Sequence, residues 1–192
     1  MKHGYLGIDE SNHGIVPEVF VGVFSSRDSD VARDRQLHKK RTEHDLSTIV
    51  RGRPFRHIII SEKDKQILGP HGIRIVAFAE LIRFFSVTYG LDQALIDGDL
   101  QTCDAREIEN VLYPVPIPRI QGIAHADMQY PLVNIADRAA YHLAQYYTRQ
   151  ATTQQKEKAD QYIATLLTPR LERYGGLVDM LKEQGRHTSR RR

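Results

Sequence analysis

Residues 5–14 read Tyr5-Leu6-Gly7-Ile8-Asp9-Glu10-Ser11-Asn12-His13-Gly14. An apolar run stops at two adjacent carboxylates, Asp9 and Glu10, and a turn-prone Ser-Asn-His-Gly follows. Acidic residues are poor strand formers and costly to bury alone. A strand that ends on two of them needs something to balance their charge. A second apolar run occupies residues 19–24. There Val19, Val21 and Val23 alternate with Phe20, Gly22 and Phe24, apolar on both faces, as in the middle of a covered sheet. The link between the two runs is short, which predicts an antiparallel pair.

Working outward, the chain reads as mixed α/β. Residues 26–52 are polar and charged, with Arg35-Gln36-Leu37-His38-Lys39-Lys40-Arg41 at their centre, and a helix is expected around 30–50. Residues 55–60 form a third strand by their β-branched content. Ser61-Glu62-Lys63-Asp64 is a helix start, Gly69-Pro70 interrupts, and 73–87 forms the most apolar helix. A strand over 91–96 ends in Asp97-Gly98-Asp99. Residues 100–118 read as an irregular excursion, because Pro114, Pro116 and Pro118 forbid regular pairing. Residues 120–126 give a last strand ending at Asp127. Pro131 opens a helix that runs to about 148. One domain is expected over 1–150, a helical extension packed on it over 151–185, and a basic, disordered tail over 186–192.

Composition excludes several classes. The chain has 192 residues, 41% hydrophobic and 27% charged, which is ordinary for a soluble globular domain. No stretch approaches the ~20 apolar residues of a membrane span. The start of the chain lacks a signal-peptide core. The single cysteine, Cys103, rules out an intrachain disulfide and a Cys-rich zinc site. A cytoplasmic location is expected. Net charge is +3, but Arg186, Arg190, Arg191 and Arg192 carry it, so the body is close to neutral.

Three acidic positions share one arrangement, an apolar strand ending in a carboxylate: Ile8-Asp9-Glu10, Ile96-Asp97-Gly98 and Ala126-Asp127. If those strands lie side by side, the carboxylates meet at one edge of the sheet. Such a cluster is unstable without cations, and hard carboxylate oxygens select magnesium or manganese. Two such ions roughly 3.5–4 Å apart activate a water and stabilise the leaving oxygen of a phosphodiester. Taken singly, an Asp at a strand end is more often a turn or cap residue.

The stretch over 7–14 resembles the opening motif of the type 2 ribonuclease H family (RNase HII), usually Gly-Ile-Asp-Glu-Ala-Gly-Arg-Gly. Leu95-Ile96-Asp97-Gly98 is similar to the family's second motif, a strand ending in Asp-Gly. Ala126-Asp127-Met128-Gln129-Tyr130-Pro131-Leu132-Val133 is similar to its third, an Asp followed by a Tyr-Pro-x-Val helix start. The motifs keep family order over residues 4–147. This resemblance implies a ribonuclease H-like fold: a mixed five-stranded sheet flanked by helices, here with extra C-terminal helices. It implies metal ligation by Asp9, Glu10, Asp97 and Asp127, and hydrolysis of the RNA strand of an RNA–DNA hybrid with a 3′-hydroxyl product. It implies substrate contacts from Asn12, His13 and Gly14. Asn12 and His13 depart from the family's Gly-Arg; Asn tolerates the left-handed conformation, but His lacks a guanidinium fork.

Asn134-Ile135-Ala136-Asp137-Arg138-Ala139-Ala140 resembles the last motif of other ribonuclease H-like nucleases, in which an Asp in the first turns of a helix binds metal. Asp127 and Asp137 therefore stand as alternatives for completing the site; otherwise Asp137 is a surface acid paired with Arg138 or Arg74. His125, two residues before Asp127, is a candidate proton shuttle or phosphate contact. Lys39, Lys40, Arg41 and the terminal arginines are candidate backbone contacts. The expected function is a nuclease with two magnesium or manganese ions acting on nucleic acid, an RNA–DNA hybrid or another duplex. The alternative is a non-catalytic nucleic-acid-binding or assembly protein of the same fold, or a nuclease acting on DNA or structured RNA.

Overall fold

A computed structural model of the chain describes residues 4–11, 17–34, 37, 45–148 and 164–169. Five strands form one sheet: β1 Tyr5–Ser11, β2 Glu18–Ser25, β3 Phe55–Ile60, β4 Gln93–Asp97 and β5 Arg119–Ile123. Their order is β3-β2-β1-β4-β5. The short link makes β1 and β2 antiparallel, and β2 pairs antiparallel with β3. β1–β4 and β4–β5 are parallel, as helical crossovers require. The helices are α1 Leu46–Val50, α2 Glu62–Tyr89, α3 Thr102–Leu112 and α4 Pro131–Thr148. None among the described residues is long and apolar enough to cross a membrane.

Period-two alternation divides the sheet between two layers. Leu6, Ile8, Phe20, Ile58 and Ile60 pack against α2 and α3, whose Ile75, Phe78, Ile82, Phe85, Ile108 and Leu112 complete that core. Val19, Val21 and Val23 face the other way, onto α1 and α4. The small side chains Ala136, Ala139 and Ala140 belong to this second core and let α4 come close. In the register, Asp9 lies opposite Val21 and Glu10 opposite Phe20. Asp9 therefore shares the α4 face, and Glu10 the α2 face.

α2 opens with a capping box, in which Ser61 Oγ accepts the Asp64 N–H and the Asp64 carboxylate accepts the Ser61 N–H. It breaks where the sequence predicts, at Gly69 (φ 66), with Pro70 in the first turn of its second segment. The segment expected to be helical over 30–50 holds only a 3-10 turn at Asp28–Asp30 and the short α1 among its described residues. Asp30 anchors the described part: it is buried, it accepts from Ser25 Oγ, and Arg53 grips it with two bonds of 2.9 Å. Burial raises the Asp30 carboxyl, but the Arg53 and Ser25 bonds outweigh it and hold it below the usual range.

Residues 100–118 are not an irregular excursion. They contain α3, because all three prolines follow its last turn and Ile108 and Leu112, one turn apart, are fully buried. The last strand ends at Ile123, earlier than expected, because His125 turns the chain through the left-handed region (φ 56). The expected C-terminal extension lies outside the described residues except for 164–169, and the basic tail lies wholly outside them. Leu166 bridges in parallel to His57 on the edge strand β3, and the Leu167 N–H donates to the His57 carbonyl at 2.8 Å.

His57 is fully buried. Its ring nitrogens meet Tyr147 Oη at 3.0 Å and Thr165 Oγ1 at 3.1 Å. Burial pushes its pKa from 6.5 down to about 4. Between those values the unfolded chain binds a proton that the folded one refuses. The contribution of His57 to stability is thus full above pH 6.5 and is lost as pH falls toward 4. The gap in unfolding free energy between wild type and His57→Gln, read from urea midpoints, is expected to shrink over that window. A constant gap would show that His57 is charged in the fold.

Candidate metal centre

β1 and β4 run parallel with Ile8 beside Ile96, so Asp9 and Asp97 emerge together at the carboxyl edge of the sheet. Leu95 packs on Ala126 and Val133, which sets Asp97 two residues on to the α4 face, the face of Asp9. The third acid arrives through the turn after β5. His125 reverses the chain, and Ala126–Met128 form a 3-10 turn whose Ala126 and Asp127 are buried. The Asp127 N–H points at Asp97 Oδ1 at 3.3 Å. Asn134 Nδ2 donates to the Asp127 carbonyl at 3.0 Å, and the Tyr130 N–H to the Ala126 carbonyl at 2.8 Å. Both bonds clamp the turn against the start of α4. Asp137 comes from α4 itself, on the buried side that carries Ala136 and Ala140.

One carboxylate oxygen from each of Asp9, Asp127 and Asp137 lies within 4.8 Å of the others. The three residues are only 5%, 1% and 7% exposed. Burial is the main reason the Asp9 pKa rises to about 9; the charges of Asp97, Asp137 and Asp127 raise it further. The Glu10 N–H, donating to Asp9 Oδ1 at 2.7 Å, opposes the shift only in part. At neutral pH and without a cation, Asp9 keeps its proton. The donor set consists of hard oxygens, which fits magnesium or manganese rather than a soft metal.

Asp127 and Asp137, alternatives in the sequence, both reach Asp9. Glu10 does not join them: it lies on the α2 face, its Oε2 3.7 Å from Arg74 Nε. Arg74 is therefore placed beside Glu10. His125 is exposed, and its carbonyl serves the turn by accepting from Gln129 Nε2 at 3.2 Å. Asn12, His13 and Gly14 lie outside the described residues, as do Lys39, Lys40, Arg41 and the terminal arginines. Sequence reasoning missed Asn134, which braces Asp127, and Gly7, on which α4 rests. A Cβ on Gly7 would sit 2.8 Å from the Leu132 backbone. The visible signal was a glycine inside an apolar strand, which marks close backbone approach.

No protein-family model and no curated protein sequence matches the chain. Solved structures do. The PCNA:RNase HII complex from Archaeoglobus fulgidus matches with a TM-score of 0.54 and 21% identity, over 83% of this chain and 87% of that one. Ribonuclease H2 from Pyrococcus horikoshii OT3 matches at 0.57 and 18%, over 82% and 76%. Bst-RNase HIII in complex with Mn2+ matches at 0.54 and 14%, over 93% of this chain and 60% of that one. These likenesses and the mixed sheet order identify the chain as carrying a ribonuclease H-like fold.

Proposed function

We propose that the chain is a metal-dependent nuclease that cuts the RNA strand of an RNA–DNA hybrid. The observation that carries this reading is the convergence of Asp9, Asp127 and Asp137, from three distant segments, on one buried spot. A buried acid cluster of this kind costs stability unless cations offset the repulsion. The fold is also that of solved ribonucleases H.

Asp9, Asp127 and Asp137 would hold two magnesium or manganese ions, with Asp97 beside them at the end of β4. Ions bound there would supply an activated water for in-line attack and neutralise charge on the leaving 3′-oxygen. The chain itself fixes the geometry. Parallel β1 and β4 set Asp9 and Asp97 at one edge, and Asn134 locks the Asp127 turn to α4. Burial keeps bulk water away from the acids. Asp9 releases its proton when a cation takes its place, so binding is favoured as pH rises toward 9.

A second reading, a nucleic-acid-binding member without catalysis, draws on Glu10 lying beside Arg74 rather than among the aspartates. One assay separates the two: incubation with an RNA–DNA hybrid, a DNA duplex and single strands, with and without manganese. The expected result is cleavage of the RNA strand of the hybrid, only with metal, leaving 3′-hydroxyl ends. Binding without metal-dependent cutting of any substrate overturns the nuclease reading.

A further inference from the structure

The second segment of α2 starts at the carboxyl edge of the sheet, just after the kink at Gly69. Its first polar side chain, His71, meets α3: Nε2 lies 3.2 Å from Glu107 Oε2 and Nδ1 3.6 Å from Asp104 Oδ1. Arg74, a turn further on, is placed differently. Its Nε is buried 3.7 Å from Glu10 Oε2, and its Cζ lies 5.5 Å from the centroid of the Phe78 ring. Its Nη2 is 3.5 Å from where a Cβ on Gly98 would be, over the turn that follows Asp97. Yet the side chain is 37% exposed. The guanidinium thus lies between Glu10, Phe78 and the Gly98 turn, near the ends of β1 and β4, with its side chain partly open to solvent.

We infer that Arg74 is a substrate-positioning residue, whose outer N–H groups take the non-bridging oxygens of a backbone phosphate next to the one that reacts. The inference rests on the nuclease reading for its substrate and on geometry for its site. An edge so rich in carboxylates repels a polyanion over short range. A cation held in place on the opposite face of that edge offsets the repulsion where the strand must approach. Arginine suits the task because its planar fork matches phosphate with two parallel bonds, and here the fork is already oriented.

The test is equilibrium binding of a labelled RNA–DNA hybrid in EDTA over a range of salt, for wild type, Arg74→Gln and Arg74→Lys. EDTA removes cleavage, so the result does not depend on catalysis. Arg74→Gln is expected to bind about tenfold more weakly and to flatten the slope of log affinity against log salt by about 0.9, one phosphate contact. Arg74→Lys keeps the slope and loses part of the affinity, because charge remains and the fork does not. With manganese, Arg74→Gln raises KM more than it lowers kcat. A wild-type slope in Arg74→Gln overturns the inference. Should that variant fail to fold, Arg74→Lys binding as tightly as wild type overturns it instead. Wild type that shows the Arg74-dependent slope but cuts nothing in manganese removes the nuclease reading and leaves the phosphate contact standing.

Discussion

Asp9→Asn is expected to abolish metal-dependent cleavage while leaving the fold intact, and to raise rather than lower the melting temperature of the metal-free protein above neutral pH. The loss of activity follows from position. The charges of Asp97, Asp137 and Asp127 all act on Asp9. Removing its negative charge takes away a shared ligand rather than an outer partner. A loss of about a thousandfold or more is expected, beyond the roughly 10–100-fold of an outer-shell substitution. The gain in stability follows from the proton. With a folded pKa of about 9 against 3.8, Asp9 holds a proton in the fold that the unfolded chain has released. Its contribution is full below pH 3.8 and is lost as pH rises toward 9. Asparagine is neutral at every pH, has the same shape, and its carbonyl can still accept the Glu10 N–H. Melting curves at pH 5, 7 and 9 for both proteins, with and without manganese, check this. The metal-free variant should lack the alkaline decline, and manganese should raise the melting temperature of the wild type alone. A variant that still cuts, or that unfolds at neutral pH, removes Asp9 from the centre of the site.

The residues that made the fold legible were those whose neighbours in space are also neighbours in pattern. Val19, Val21 and Val23 against Phe20 and Phe24 announced a strand covered on both faces, and β2 is fully sandwiched between α2 and α4. Asp9 at the end of an apolar strand announced the site. Distance along the chain misled where the backbone turns. Ten residues separate Asp127 from Asp137, which reads as nearly three turns of helix, yet the 3-10 turn before Pro131 lays Asp127 against the flank of α4. Glu10 departs from Asp9 despite adjacency, because successive residues of a strand point to opposite faces and its Oε2 lies beside Arg74. α3 was hidden by prolines that end it rather than break it. Arg74 was invisible as a site residue because its place depends on the Gly69 kink and on the crossover that carries α2 back to the edge, neither of which a local pattern records.

Gly7→Ala is expected to damage both the fold and the site. The added Cβ would lie 2.8 Å from both the carbonyl carbon and oxygen of Leu132 and 2.9 Å from its Cγ. Backbone cannot swing aside as a flexible side chain can, so the first turns of α4 must lift off β1. Overpacking of this kind costs about 3 kcal/mol, which for a chain of this size lowers the melting temperature by roughly 10 °C. The consequence for function is larger than the loss of stability, because the same helix carries Asp137 and its Asn134 holds the Asp127 turn. Lifting α4 draws both acids away from Asp9, so manganese should stabilise Gly7→Ala less than it stabilises the wild type. Gly52→Ala is the control. Gly52 has φ 72 with nothing within 4 Å, so a methyl there strains the backbone without touching a neighbour. That strain costs about 1 kcal/mol and leaves the manganese-induced shift as it is in the wild type. If Gly7→Ala keeps the wild-type shift as well, the close approach of α4 to β1 is not what brings the aspartates together.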